Sequence, residues 1–459
     1  MLDTNTANDV IFEALSLGAS FCDIFIEKNE TQSFSMNSSK IKDIKSGLDF
    51  GIGIRLIFND KSLYGYTNSV NKEELIKLTR ILADQYKKKT IIENTIAFKT
   101  KKIQSVSLLP DKDVDLAQKV LRFHELDKMV RAKSEKIHQV NISLMQRKQN
   151  IEIFDSEGLH VTDFRPYCRM SSTAIAKDGN NQATGTWGPG ARGGYSFAES
   201  LDLEIISERI SSSALNSLKA KPCPAGVMPV VIDNGFGGVI FHEACGHSLE
   251  TTSVEKKSSV FWDKKGEMIA NEALSAVDDG TIDGLWGSLN CDDEGMDTQR
   301  TQLIKDGKLT NFLSDRMGEI KTGHKRTGSA RRESYKYAPA SRMRNTFIEP
   351  GRYSLEELLE SMGDGLYAKS MGGGSVNPGT GEFNFSVQEG YLVKNGKLTD
   401  CVKGATLIGR GEEIMQHISM VGTDIDYSAG TCGSVSGGIP VTVGQPPIKV
   451  DKILVGGKA

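Results

Sequence analysis

Two histidines and a glutamate lie close together in the middle of the chain, and they could hold a metal ion beside a general base. His242, Glu243 and His247 follow an apolar segment, within the sequence FHEACGH at 241–247. Imidazole nitrogens bind divalent transition metals, and a carboxylate beside them can accept a proton from an activated water. These residues therefore indicate metal-assisted hydrolysis.

The spacing of the two histidines differs from that of the common zinc-protease helix, which places them four residues apart. A step from 242 to 247 turns about 500° at roughly 100° per residue, so the side chains would point about 140° apart on a regular helix. We therefore predict that the helix is locally widened, as in a π-bulge, or that the metal lies close to its axis. Gly246 is the position where such a distortion is least unfavourable.

A third protein ligand is needed if a water is to occupy the fourth position on the metal. The candidates are Cys245, Cys291, Cys432 and the carboxylate of Glu250. Cys432 lies in a glycine-rich segment, predicted to be a flexible loop ahead of a strand, where a thiolate can approach an ion. The residues alone leave this choice open, together with a metal-free polar turn. A cysteine hydrolase built from Cys245 and His247 is disfavoured, because residues two apart on a helix point to different sides.

Length, charge and cysteine content restrict the class of protein. A chain of 459 residues predicts two domains. The net charge of −3 gives no electrostatic reason to expect nucleic acid or an anionic membrane as a partner. Apolar runs are too short for a membrane span, and the first residues lack the basic start of a secretory signal. Seven scattered cysteines do not form a disulfide framework, so we expect a cytoplasmic protein with reduced thiols.

The hydrophobic periodicity predicts an α+β fold whose N-terminal domain, residues 1–220, packs helices on antiparallel strands. The predicted helices are Thr6–Leu17, Lys72–Lys87, Val114–Lys133 and Asp202–Leu218. The predicted strands are Phe21–Lys28, Thr31–Asn37, Lys40–Ser46, Phe50–Phe58, Lys61–Thr67, Ile137–Gln146, Gln149–Asp155, His160–Lys177 and Gln182–Trp187. The order of helix, strands and helix occurs twice, which indicates an internal repeat.

The remaining residues, 221–459, are predicted to form a β-rich, barrel-like domain that carries the metal helix at Gly237–Ser253. The predicted strands are Val227–Asp233, Ile282–Gly287, Gln302–Lys305, Leu309–Leu313, Thr346–Glu349, Gly381–Lys394, Lys397–Val402 and Val435–Val443, with helices at Ser354–Met362 and Gly411–Ile418. Asp-Gly at 306–307 and Asn-Gly at 395–396 are strong signals for hairpin turns.

Several motifs of the C-terminal half occur together and in one order. They are FHEACGHSLE at 241–250, SRMRNT at 341–346 followed by Pro350-Gly351, GEFNF at 381–385, VKGATLIG at 402–409 and GQPP at 444–447. In these motifs the chain resembles the TldD/PmbA family of bacterial and archaeal metallopeptidases, and specifically its TldD-type catalytic branch. The resemblance covers the whole C-terminal domain and is more diffuse in the N-terminal one.

The resemblance implies a two-domain fold with a Zn2+ ion held by His242, His247 and Cys432, and with Glu243 as the catalytic base. It also implies a peptide or unfolded polypeptide as substrate, and a dimer formed with a sister PmbA/TldE-type subunit or with a second copy. The chain departs from the family pattern two residues after Cys432, where Ser434 stands in place of a frequent basic residue. This departure leaves the ligand in place and bears on the substrate subsites.

Together these features predict a zinc-dependent peptidase that hydrolyses short or unfolded peptides, with Glu243 accepting the proton of a metal-activated water. Two other functions stay open. One is a non-catalytic regulatory or binding protein of the gyrase-modulator type. The other is a protein with a structural metal site that a fourth protein ligand closes.

Overall fold

The computed structural model describes residues 2–86, 96–101, 103, 114–377 and 380–457. The helices are α1 Thr4–Ser16, α2 Lys72–Ala83, α3 Leu116–Ala132, α4 Tyr195–Ser200, α5 Leu203–Lys219, α6 Val239–Ala244, α7 Thr251–Val254, α8 Arg316–Thr322, α9 Leu355–Met362 and α10 Gly411–His417. The strands are β1 Phe21–Asn37, β2 Lys40–Phe58, β3 Lys61–Thr67, β4 Lys99–Lys101, β5 Ile137–Asp155, β6 Leu159–Asp178, β7 Asn181–Trp187, β8 Gly190–Ala191, β9 Lys221–Pro222, β10 Gly226–Ile232, β11 Ala276–Asp279, β12 Arg300–Lys305, β13 Lys308–Leu309, β14 Ala330–Arg331, β15 Ala340–Ser341, β16 Asn345–Ile348, β17 Gly365–Val376, β18 Glu382–Lys394, β19 Lys397–Lys403, β20 Thr406–Arg410, β21 Ile418–Val421, β22 Asp426–Ser434, β23 Gly437–Gln445 and β24 Ile448–Gly456.

The N-terminal part is one sheet in the order β3-β2-β1-β5-β6-β4, with β7 and β8 also paired to β6. Helices α1 and α2 cover the β1–β3 half, and α3 and α5 cover the β5–β7 half, each over its own apolar cluster. Helix, three antiparallel strands and helix therefore occur twice, joined where β1 pairs with β5. This order agrees with the predicted internal repeat.

Three of the four long strands of this sheet differ from the prediction, which divided β1, β2 and β5 into shorter pieces, whereas β6 agrees with the predicted strand His160–Lys177. Polar residues such as Asn29 and Glu30 were expected to interrupt β1, but they stay in the ladder. Because β1 has β2 on one side and β5 on the other, both rows of its backbone groups are hydrogen bonded whatever the side chains are. The helix expected at Lys72–Lys87 ends at Ala83, and position 87 lies outside the described residues.

The C-terminal part contains a closed ring of strands, as the barrel-like prediction required. The order is β17-β10-β24-β20-β18, and β18 pairs back to β17. A second sheet has the order β13-β12-β11-β16-β23-β22. The Asp-Gly and Asn-Gly signals lie at the turns between β12 and β13 and between β18 and β19. The overall α+β class with a strand-rich, barrel-like C-terminal part is confirmed.

Two strand predictions in this part were wrong. The segment Ile282–Gly287 forms turns and contributes one isolated bridge, between Leu285 and Ala191. The segment predicted as Leu309–Leu313 is a strand only at Lys308–Leu309. Strand β17 was not predicted, because the glycines at 372–374 hide its pattern.

A seam of buried ion pairs joins the N-terminal sheet to the loop at 290–297. Arg55 binds Asp23 through Nε at 2.6 Å and Glu294 through Nη1 at 2.8 Å. Arg165 binds Asp163 at 2.8 Å and Asp293 at 2.6 Å, and all these side chains are buried. Each of these four carboxylates thus faces a guanidinium group. Among the described residues, no helix is both long and apolar enough to cross a membrane.

Candidate metal centre

The first histidine lies on a short helix that packs on the barrel. Ile240, Phe241 and Ala244 of α6 belong to one apolar cluster with residues of β18, β20 and α10. Helix α10 approaches so closely that a Cβ at Gly411 would lie 1.9 Å from the Ala244 carbonyl oxygen. Packing of this kind fixes the position of α6 and buries His242, which is only 2% exposed.

The helix ends before the second histidine, which corrects the prediction of one helix over Gly237–Ser253. Helix α6 stops at Ala244, Cys245 has φ −127° and ψ −48°, and a 3-10 turn spans Gly246–Leu249. The chain is thus broken at Cys245 rather than widened by a π-bulge. The break brings the two histidine rings together edge to face, with centroids 5.1 Å apart and planes at 86°.

Gly246 follows the break, at the position where distortion was predicted, but a close contact also requires it. A Cβ at Gly246 would lie 2.3 Å from Sδ of Met343, a buried residue that belongs to the segment before β16. Any side chain here would displace that contact and with it the turn that carries His247.

Cys432 lies on strand β22, in register with Ile439 of β23, and not in the flexible loop that was predicted. Its Sγ is 3.3 Å from Nε2 of His247. One ligand atom from each of His242, His247 and Cys432 lies within 4.8 Å of the others. Donors around a tetrahedral zinc ion are separated by about 3.3–3.8 Å, given bond lengths of about 2.0–2.3 Å. The three side chains therefore fit such an ion with small adjustments.

The charges of the three donors favour a thiolate at this place. Burial alone would raise the pKa of the Cys432 thiol, but His242 and His247 lower that pKa to about 3. Burial acts to lower the pKa of His247, yet Glu250 and Cys432 raise it well above its usual value. A divalent cation among these atoms would favour the same thiolate. Nδ1 of His242 is buried and has no hydrogen-bond partner among the described residues.

Glu243 occupies the open side of this group. Its side chain is 26% exposed, so water can reach the carboxylate, and Oε2 lies 3.7 Å from Nε2 of His247. Glu243 and His247 line a cleft of about 350 Å³ together with Ser434 and residues of β17. The predicted base therefore stands next to the predicted ligands and faces solvent.

Glu250 was considered as a ligand, but it is placed as a hydrogen-bond partner of one. Its Oε2 lies 3.1 Å from Nδ1 of His247, on the ring nitrogen opposite the one near Cys432. A carboxylate in this position fixes the tautomer of a ligating histidine and leaves Nε2 free for a metal. Glu250 is 2% exposed, so water scarcely competes for this bond.

Sequence reasoning missed Arg342, whose guanidinium group lies behind the site. Its Nη2 donates to the Cys432 carbonyl oxygen at 2.6 Å, and its side chain is fully buried. Arg342 belongs to the SRMRNT motif at 341–346, and this membership is the signal that could have identified it.

The other two candidate ligands lie away from the donors. Cys245 is fully buried, and burial raises the pKa of its thiol, which does not suit a nucleophile. Cys291 packs at the seam in an apolar cluster with Phe25 and Tyr335. Two histidines and a thiolate beside a water-accessible carboxylate are the class of site found in hydrolytic metal centres with an open position.

Comparison with known protein families also indicates a hydrolytic metal centre. The chain matches the PmbA/TldA metallopeptidase C-terminal domain over residues 225–457, the central domain over 109–218 and domain 1 over 22–84. A metalloprotease TldD homologue of Haemophilus influenzae is 35% identical over 458 residues, covering 97% of this chain and 95% of that protein. The chain therefore belongs to the PmbA/TldD metallopeptidase family, which confirms the resemblance seen in its motifs.

Other relatives extend the comparison. A zinc metalloprotease TldD homologue of Saccharolobus solfataricus is 27% identical and covers 97% of this chain and 99% of that protein. Among solved structures, a Thermotoga maritima protein described as a candidate modulator of a DNA gyrase superposes with a TM-score of 0.79 at 22% identity, covering 98% of this chain and 99% of that one. TldE of Thermococcus kodakarensis gives 0.76 at 18% identity, covering 98% and 100%. At these identities the structural likeness concerns the fold.

Proposed function

We propose that the chain is a zinc-dependent peptidase in which His242, His247 and Cys432 hold the ion and Glu243 is the general base. The observation that carries this proposal is the convergence of three electron-pair donors beside one exposed carboxylate. Two neutral imidazoles and one thiolate suit Zn2+, and three protein ligands leave one coordination position for water or substrate.

The chain's own groups would then perform the proton transfers. When bound, the ion supplies a Lewis acid that activates water and polarises the scissile carbonyl. The Glu243 carboxylate accepts the proton of the attacking water and returns it to the leaving amine. Glu250 holds Nδ1 of His247, which would leave Nε2 free to bind the ion.

The shape of the site supports short or unfolded peptides as substrates. The cleft at Glu243 shares Ser375 and Val376 with a larger groove of about 1020 Å³. An extended chain could run from the groove past the donors, whereas the buried donors are out of reach for a folded protein surface. Both apolar and charged residues line the groove, among them Phe383, Arg410 and Glu413.

We also propose that the chain works as a dimer, with a sister subunit of the PmbA/TldE type or with a second copy. The support is indirect: TldE of Thermococcus kodakarensis shares the fold over nearly the whole chain. The proposed domain division, 1–220 and 221–459, places the entire donor set in the second domain.

The test combines metal content with cleavage of an unstructured peptide library. We expect one zinc per chain, cleavage that a chelator abolishes, and a Glu243→Gln variant that keeps zinc but loses about 10²–10⁴-fold in turnover. Glu267→Gln is the matched control, since this exposed carboxylate pairs with Lys264 outside the cleft. Full turnover by Glu243→Gln would remove Glu243 as the base.

If zinc is bound but wild-type protein cleaves nothing, the assay is repeated with the sister subunit. Continued inactivity in the complex would contradict the peptidase proposal and favour a structural metal site. Absence of zinc and of any other metal, with cleavage intact, would contradict the assigned metal chemistry.

A further inference from the structure

We infer that Arg342 is a positioning residue that joins the two separate halves of the metal site. This inference rests on the ligand set proposed above and goes beyond it. One half is the turn after α6, with His247 and its partner Glu250. The other half is the β22–β23 hairpin, with Cys432. The guanidinium group of Arg342 donates hydrogen bonds to the hairpin and forms a charge pair with Glu250.

The contacts to the hairpin are direct. Nη2 of Arg342 donates to the Cys432 carbonyl oxygen at 2.6 Å. Nη1 donates to the Ser436 hydroxyl at 2.9 Å and to the Gly437 carbonyl oxygen at 3.0 Å. These three acceptors surround the tip of the hairpin, so one planar group fixes the backbone that carries the thiolate.

The contact to the other half is electrostatic. Nε of Arg342 lies 3.9 Å from Oε1 of Glu250, while the other oxygen of that carboxylate holds His247. Both atoms are buried and have no hydrogen-bond partner among the described residues. A pair with so little exposure is weakly screened by solvent, so the Arg342 guanidinium attracts the carboxylate group that orients His247.

Geometry requires arginine rather than lysine at this position. A guanidinium group presents its donors in a rigid plane, so it can address the hairpin and the carboxylate together. A lysine ammonium is a single point and reaches only one side. The position of Cys432 relative to His247 therefore depends on the planar guanidinium group of Arg342.

Arg344 provides a matched control two residues along the same motif. It is equally buried, and its Nε binds Asp278 at 2.6 Å rather than a residue of the metal site. Arg344→Lys thus carries the same change in chemistry and burial without the link between the two halves.

The experiment measures zinc affinity of the full-length protein by competition with a chromophoric chelator, and the absorption spectrum of the Co2+ form. We expect Arg342→Lys to weaken zinc binding about 10- to 100-fold, as for other groups that orient ligands. The visible Co2+ bands and the thiolate-to-cobalt band should change as well. Arg344→Lys should leave affinity and spectrum within about twofold of wild type, even where it lowers thermal stability.

Glu250→Gln keeps the inference testable if Arg342→Lys does not fold. The amide can still accept from Nδ1 of His247, but it carries no charge for Arg342 to face. We expect it to weaken zinc binding. Ser436→Ala removes the hydroxyl that accepts from Arg342 on the hairpin and should also weaken it, and the double variant with Glu250→Gln and Ser436→Ala, in which Arg342 is intact, should lose less than the product of the two single losses. Folded Arg342→Lys with wild-type affinity and an unchanged Co2+ spectrum would overturn the inference, as would fully independent effects in the double variant.

These results are separable from the test of the proposed function. If wild type binds zinc and cleaves peptides but Arg342→Lys changes neither affinity nor spectrum, only the role of Arg342 fails. If Arg342→Lys weakens zinc binding in a protein that cleaves no peptide, the link stands and the peptidase proposal fails.

Discussion

Two of the regions that gather buried polar groups, the seam and the metal centre, are organised differently. At the seam between the N-terminal sheet and the loop at 290–297, carboxylates converge on the guanidinium groups of Arg55 and Arg165. At the metal centre, two imidazoles and a thiol converge on one another. The seam contains both signs of charge within the protein, whereas the centre gathers electron-pair donors. Buried groups of the first kind hold a structure together, and those of the second kind suit an added cation.

The strongest challenge to this contrast is removal of one donor from the centre. Cys432→Ser should weaken zinc binding by more than about 100-fold, since the loss of a ligand exceeds the loss of a group that orients one. Peptide cleavage should fall to the background rate. Metal analysis after dialysis and peptidase assays measure both effects. Cys401→Ser, a half-buried thiol on β19, is the control and should behave as wild type. Normal zinc content in Cys432→Ser would mean that the centre does not use this thiolate.

Removal of a cation from the seam should affect stability and leave the centre intact. Arg165→Met leaves Asp163 and Asp293 buried without their shared partner, which should lower the free energy of unfolding by about 3–5 kcal/mol. Denaturant unfolding gives that value, and chelator competition gives zinc affinity, which should stay unchanged. A variant as stable as wild type would show that the seam contributes little, and the contrast between the regions would then fail.

Asp155, an acid near the seam, should make the stability of the protein depend on pH. Burial raises the pKa of Asp155 to about 6, above the value of about 4 in an unfolded chain. Between these values the unfolded state loses its proton first, so stability decreases as pH rises. Asp155→Asn can still accept from the backbone N–H groups of Glu157 and Leu159. It should therefore exceed wild type by up to about 3 kcal/mol above pH 6 and by nothing below pH 4. Thermal melts of both proteins from below pH 4 to above pH 6 measure this difference in stability. An equal difference at both pH extremes would contradict the raised pKa of Asp155.

Ion pairs on the surface should contribute least to the free energy of unfolding. Lys221 and Asp400 lie 2.9 Å apart, and more than half of each side chain is exposed. Asp400→Ala should change the free energy of unfolding by less than about 0.5 kcal/mol and should not alter zinc binding. Paired denaturation curves at low and high salt test this expectation. A change above 1 kcal/mol would mean that exposure does not separate strong pairs from weak ones here.

Local sequence predicted much of the fold, because the relevant patterns are local. The helix near residues 4–16 and the two Asp-Gly and Asn-Gly turns depend on neighbours in the chain. The continuity of β1 does not: Glu30 stays in a strand because Leu48 and Lys148 pair with it from two sides. Such pairing overrides the local preference of a polar residue, and no short window of sequence contains it.

The candidate site likewise contains residues that the sequence predicts and residues that only the fold brings together. His242, Glu243 and His247 are recognisable together, since they share one short motif. The turn after Cys245 places Gly246 against Met343, which belongs to a distant segment. The roles of Glu250 and Arg342 likewise arise from contacts between separate segments, so spacing could not assign them. The assignment of Glu243 as base and of the three ligands stays a prediction until metal and activity are measured.

The long separation of the donors along the chain determines when the donor set forms during folding. Val230 of β10 pairs with Val450 of β24, and Cys432 meets His247 across 185 residues of chain. Contacts between such distant residues form late and slowly during folding, because long loops must close first. A chain in which β22 has not yet reached the turn after α6 therefore carries the two histidines without the thiolate. In the proposed peptidase, hydrolysis would then begin only after this late contact has formed, when the unfolded segments of the same chain are already buried.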